Sequence, residues 1–198
     1  MTYLIFDLET TGLPSGNVRA YKDYNTFKEC RIVSIGWVIL GKDMKEITNK
    51  YYVIQRDGFT IPPNVHGITN KISDTIGIDI HVVFEYLLGD IIDYLVDMLV
   101  AHNIVFDKNV LLHHVFRYSH PTLYTKIRSL PTYCTMIGGK DLLKIPLKNH
   151  RIGEKMYKYP NLKELYAFFR PDLQFKAHDA IEDARACATC FASMYGFI

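Results

Sequence analysis

Apolar residues along this chain fall either in short runs or at a helical period, and the two patterns predict different elements. Short apolar runs bounded by turn residues mark strands at Thr2–Leu8, Arg31–Leu40 and Ile47–Gln55, with a long loop, Pro14–Cys30, between the first two. The Ile61-Pro62-Pro63 connector breaks the pattern. A helical period then takes over at Ile80–Val96, with Val83, Leu87, Ile91 and Leu95 at four-residue steps and acids on the outside. Met98–Ala101 is a short buried strand, Asp107–Tyr118 a helix, and Tyr133–Met136 a fifth strand. Leu162, Leu165, Tyr166 and Phe169 mark a helix stopped before Pro171, and Ala180–Tyr195 a last helix with Ala184, Ala188, Phe191 and Tyr195 inward. Three strands followed by alternating helices and strands predict an α/β fold with a mixed five-stranded sheet flanked by helices.

At 198 residues, 48% hydrophobic and 22% charged, the composition is that of one ordinary globular domain, residues 1–198. No apolar stretch is long enough to span a bilayer and no secretory signal precedes the first strand, so a complete protein without membrane contact is expected. The four cysteines, Cys30, Cys134, Cys187 and Cys190, are too scattered for a disulfide framework. The Cys187-x-x-Cys190 spacing lacks the second pair a metal knuckle needs, so it reads as two small core residues in an intracellular, reducing location.

The net charge of +2 excludes nothing, but charge is unevenly placed. Between Ile72 and Asp97 stand Asp74, Asp79, Glu85, Asp90, Asp93 and Asp97 with no Lys or Arg. Between Lys140 and Lys163 the bases Lys140, Lys144, Lys148, Arg151, Lys155, Lys158 and Lys163 face only Asp141 and Glu154. That basic segment is either a solvated loop or, with Tyr157 and Tyr159 interleaved, a nucleic-acid contact.

The candidate chemistry starts in the first strand. Alternation puts Asp7 and Glu9 on one side of it, and two adjacent carboxylates repel unless solvated or bridged by a cation. Asp107 follows a strand at a helix start. His178 and Asp183 stand at the entry of the last helix, where Asp179 and Glu182 have capping-box spacing without the usual Ser or Thr. Three segments therefore offer carboxylates from strand ends and helix starts, with one histidine beside them.

These segments, Phe6-Asp7-Leu8-Glu9-Thr10-Thr11-Gly12, His102-Asn103 through Phe106-Asp107, and His178-Asp179-Ala180 through Asp183-Ala184, resemble the three motifs of the DEDDh family of 3′–5′ exonucleases. The histidine stands five residues before the aspartate, as in the His-type branch. The resemblance implies a ribonuclease H-like fold and hydrolysis of phosphodiester bonds at a nucleic-acid 3′ end, releasing nucleoside 5′-monophosphates. It implies Mg²⁺ or Mn²⁺ as a pair of ions, with Asp7 bridging both, Glu9 and Asp183 completing one, Asp107 helping to hold the other through water, and His178 as general base. Imidazole suits that role because its unperturbed pKa lies near working pH.

Leu8, Thr10, Leu13, Ile68 and Phe106 are implied beside the terminal nucleotide. His66 is either a nucleotide contact or a loop brace, and Asn103 either a phosphate ligand or a turn residue. Val65-His66-Gly67-Ile68-Thr69 resembles a segment of proofreading enzymes, which favours DNA, single-stranded or frayed, over RNA. A polymerase or a second copy of the chain stays open as a protein partner, as does a docking role in place of catalysis. The Pro14–Cys30 loop and the Lys140–Tyr159 segment are longer than in the compact family pattern. Each could clamp a strand, bind a partner, or do neither.

Overall fold

In the computed structural model, which describes residues 1–63, 66–147 and 156–196, strand β1 (Tyr3–Thr10) is the centre of the molecule. It pairs antiparallel with β2 (Ile32–Leu40), which pairs antiparallel with β3 (Glu46–Val53). On its other side it pairs parallel with β4 (Met98–Ala101), and β4 with β5 (Thr132–Cys134). The order β3-β2-β1-β4-β5 makes the expected mixed five-stranded sheet.

Alternation along β1 sorts its side chains into two cores. Leu4, Phe6 and Leu8 enter the larger one, with helices α2 (Ile80–Asp93), α3 (Ile104–Arg117) and α4 (Pro121–Ser129). Tyr3 and Ile5 enter the smaller one, against Ala184, Cys187, Ala188 and Phe191 of helix α7 (Ala180–Met194). Asp7 and Glu9 continue the second row, so they emerge where the sheet meets α7. A third small core joins Val33, Val53, Ile61 and Ile68, near the short helix α1 (Asn70–Ile76). Helices α5 (Thr135–Leu143) and α6 (Leu162–Phe169) complete the chain.

Several expectations need correction. The helix at Ile80 ends at Asp93, not Val96. The Leu95 amide donates to the Ile92 carbonyl and the Val96 amide to the Ile91 carbonyl, a Schellman closure that folds Val96 inward and leaves Leu95 78% exposed in the left-handed region. The acids of this helix are not all outside. Asp90 is buried, accepting from Trp37 Nε1 at 2.8 Å and Lys50 Nζ at 2.7 Å. The fifth strand is Thr132–Cys134, because Thr135 and Met136 already belong to α5. The helix expected from Asp107 starts at Ile104, and Tyr195 lies exposed beyond the end of α7.

No capping box forms at Asp179. It is the N-cap of α7 without a cap hydrogen bond, its carboxylate is 3.7 Å from Lys176 Nζ, and Glu182 pairs with Arg185. A full capping box exists instead at Asn161 and Glu164, opening α6. All four cysteines are buried and unpaired, Cys187 and Cys190 in the core as expected.

The long loop 14–30 is not an appendage. Phe27 and Cys30 are fully buried in the larger core, and the Phe27 ring stacks on His113 at 4.5 Å between centroids. The Tyr21 carbonyl meets His113 Nδ1 at 2.7 Å, and the Tyr21 and Tyr124 hydroxyls lie 3.1 Å apart. The loop is thereby fastened across α3 and α4. Of the basic segment, Lys148, Arg151 and Lys155 lie outside the described residues.

Candidate active site

Three elements deliver the acids. Asp7 and Glu9 stand on β1, Asp107 lies in the first turn of α3, and Asp183 in the first turn of α7. Parallel pairing of β1 with β4 brings the start of α3 to the end of β1, because only two residues separate β4 from that helix. Asn103 makes this turn in a left-handed conformation (φ 77°, ψ 49°) without capping through its side chain.

Helix α7 reaches the acids through an absence of side chain. Gly36 on β2 sits opposite Asp7, and a Cβ there would lie 2.5 Å from the Ile181 nitrogen and 2.6 Å from the Ala180 carbonyl carbon. The first turn of α7 can therefore rest directly on the sheet. Sequence reading passed over Gly36. A glycine within a nine-residue apolar strand was the available signal.

Asp107 is 3% and Asp183 8% exposed, and Asp7 and Glu9 are half-buried. Burial, then the charges of Asp107, Asp183 and Glu9, raise the Asp7 pKa well above the usual carboxylate range. Burial, then Asp183 and Asp179, lifts Glu9 to about 7. Burial also raises Asp107 strongly, although backbone hydrogen bonds from Asp107 itself and Leu8 favour its ionised form. Asp183 is raised by burial and partly relieved by the amide of His178, which donates to its Oδ2 at 2.8 Å. Among the described residues no Lys or Arg forms an ion pair with any of the four.

One ligand atom from each of Glu9, His178 and Asp183 lies within 4.8 Å of the others. Two of these three donors are carboxylate oxygens, and with Asp7 and Asp107 beside them the cluster fits a hard divalent cation. His178 is exposed and left-handed (φ 66°), a conformation few non-glycine residues adopt. A cavity of about 400 Å³ opens over Asp7, His178 and Asp183, with His102, Lys163 and Phe175 in its wall. His102 is lowered to about 4 by burial, its ring held between the Thr135 hydroxyl and the Pro160 carbonyl. Lys163 is the basic residue of this wall.

The other expected residues fall in different places. Leu8 and Ile68 are buried in the larger and third cores, Phe106 is half-buried against the larger core, and Leu13 is 76% exposed. The Thr10 hydroxyl donates to the Gly12 carbonyl at 2.9 Å. His66 Nδ1 accepts from the Ile68 amide at 3.0 Å, a bond that braces its loop. The His66 ring also lies near enough to the Thr10 backbone and to His178 for both to act on its ionisation.

No family model matches this sequence, and no curated protein matches it. Solved structures do match. Escherichia coli exonuclease I in complex with a dT13 oligonucleotide aligns over 97% of this chain and 41% of its own, with TM-score 0.69 and 14% identity. The fold is ribonuclease H-like.

The zinc-bound form of the E. coli exonuclease I–single-stranded DNA complex aligns with TM-score 0.66 at 16% identity, over 98% of this chain and 40% of that one. A moderately thermophilic exonuclease I from Methylocaldum szegediense gives TM-score 0.64 at 15% identity, over 99% and 42%. The chain spans about two fifths of the length of these exonuclease I chains. Within the ribonuclease H-like sheet, Asp7, Glu9, Asp107, Asp183 and His178 gather at one end of the central strand, where α/β sheets bind ligands.

Proposed function

We propose that the chain is a divalent-metal-dependent 3′–5′ exonuclease domain acting on single-stranded DNA. The observation that carries this reading is the convergence of four carboxylates from three elements beside an exposed histidine, with Asp7, Asp183 and His178 lining an open cavity. The sequence motifs support it independently. So does the fold, shared with exonuclease I structures bound to dT13 and to single-stranded DNA.

Asp7, Glu9, Asp107 and Asp183 would hold two Mg²⁺ or Mn²⁺ ions. When bound, such ions supply positive charge to the phosphate and both oxygens of an in-line displacement. The residues of the chain do the rest. His178, at the mouth of the cavity, takes the proton of the attacking water in its neutral form. Asp183 holds the His178 backbone by the 2.8 Å hydrogen bond, and so ties the base to the acids. The Thr10 backbone and exposed Leu13 lie at the end of β1 to receive the terminal nucleotide. Lys163 supplies a cation for a phosphate. Among the described residues no helix is long and apolar enough to cross a membrane. Four unpaired cysteines support a reducing compartment.

The test is release of nucleoside 5′-monophosphates from 3′-terminal label on matched DNA and RNA oligomers, single- and double-stranded, with Mg²⁺ or Mn²⁺. Release from single-stranded DNA, lost in Asp7→Asn, is expected. Faster release from RNA would make the chain an exoribonuclease. No release with either metal from any substrate would sink the catalytic reading.

A further inference from the structure

A second concavity, of about 640 Å³, lies beyond the carboxylates, and the mechanism above makes no use of it. It runs from Thr11, two residues past Glu9, to Arg117 at the end of α3, ten residues and about 15 Å along that helix from Asp107. Its wall combines three cations with two aromatic rings. Arg117 lies over the Tyr24 ring at 4.6 Å, and Arg31 over the Phe59 ring at 4.5 Å. Lys28 is exposed on the same wall, and Glu29 is the one acid there.

Arg31 is the built part of this site. It is 6% exposed, and its guanidinium bonds Asp57 and, at 2.5 Å, the Tyr118 hydroxyl. Its Nε is buried with no hydrogen-bond partner among the described residues. Held by Asp57 and Tyr118 against the Phe59 ring, the guanidinium is a fixed part of the wall. Tyr24 is half exposed, so its ring can receive a flat ligand. Beyond the pocket the same composition continues: Lys22 lies over the Phe116 and Tyr124 rings, and Arg128 over Tyr124.

Aromatic faces beside cations are how proteins bind single-stranded nucleic acid, by stacking bases and tracking phosphates. We infer that this pocket is a nucleotide subsite for the single strand upstream of the scissile bond, and that loop 14–30 exists to build it. The inference rests on the proposed exonuclease reading for the strand's direction: with the 3′ end among the carboxylates, the 5′ side leaves past Thr11 toward Tyr24, Lys28 and Arg117. A base stacks at Tyr24, and its phosphates meet Lys28 and Arg117. The fastening of the loop to α3 and α4 holds Tyr24 ready before substrate arrives.

Binding can be measured without catalysis, by fluorescence anisotropy of end-labelled oligodeoxynucleotides of two and eight nucleotides on Asp7→Asn protein in metal-free buffer. Adding Tyr24→Ala should weaken binding of the eight-mer roughly 5- to 100-fold and leave the two-mer unchanged. Adding Lys28→Glu, an exposed change with no fold to disturb, should flatten the salt dependence of eight-mer binding by about one unit of slope or more. Thermal melts within error of the parent would show that both variants fold. An eight-mer affinity and salt slope untouched by either substitution overturns the subsite, even if the chain proves to be an exonuclease. Both effects present in a chain that hydrolyses nothing would keep the subsite and discard the catalytic reading. Failure of the parent to bind the eight-mer at all overturns the subsite outright.

Discussion

Gly36 lies opposite Asp7 on the neighbouring strand, and the Ala180–Ile181 peptide occupies the space that a side chain at position 36 would need. The contact sets the distance between the sheet that carries Asp7 and the helix that carries Asp183. A methyl group there meets backbone, which cannot rotate away. Gly36→Ala should therefore cost about 2 kcal/mol or more, at the upper end of overpacking, read as a lowered denaturation midpoint. It should also lower metal affinity, because Asp183 moves with the helix. Wild-type stability and metal binding in this variant would show that α7 is not seated by Gly36.

The four acids make a sharper prediction about charge. In the metal-free protein Asp7 opposes Asp107, Asp183 and Glu9. Asp7→Asn should melt higher than the wild type without metal, since it removes a buried repulsion. The wild type should gain stability from millimolar Mg²⁺ or Mn²⁺ and the variant should not. A wild type indifferent to both ions in calorimetry contradicts the metal site.

The pH dependence of stability has two opposed slopes. Folding raises Glu9 from 4.5 to about 7, so its contribution is present below the unfolded pKa and is lost as pH rises through 7. Burial lowers His102 from 6.5 to about 4 and His114 to about 3, so their contributions are present above 6.5 and are lost as pH falls toward those values. A divalent ion acts on the first slope only. The rise in melting temperature on adding Mg²⁺ should then be much larger at pH 8 than at pH 5, and the acid side should be unchanged. Equal shifts at both pH values would place the ion away from these carboxylates.

For His178 the prediction is kinetic. His178→Ala should keep metal and DNA binding and lose about two to four decades of turnover, the usual contribution of a general base. A rate within a few-fold of wild type, with chemistry limiting, would give the proton to another group.

Strands and motif acids were legible in the sequence because each rests on a local signal. Apolar runs ended by turn residues marked the first three strands, and carboxylates at strand ends stood out against their apolar surroundings. Asp90 was misplaced for the opposite reason: only the partners Trp37 and Lys50, 53 and 40 residues away, make a carboxylate tolerable inside. Helix α5 begins immediately after a three-residue strand, too abruptly for a window of periodicity to separate them. The anchoring of loop 14–30 depends on rings such as Phe27 meeting His113 far along the chain, and aperiodic aromatics carry no register. The structure also supplied the buried Arg31 and its company, which no spacing announces.

The left-handed backbone of His178 sets activity against robustness at a single position. Glycine reaches that conformation without strain, whereas alanine meets the same crowding as histidine. A glycine at position 178 is therefore expected to give a protein at least as hardy as the natural one and nearly inert, reversing the usual order in which alanine outlasts glycine. On the proposed exonuclease reading, the imidazole at position 178 is kept for its chemistry at that cost in endurance.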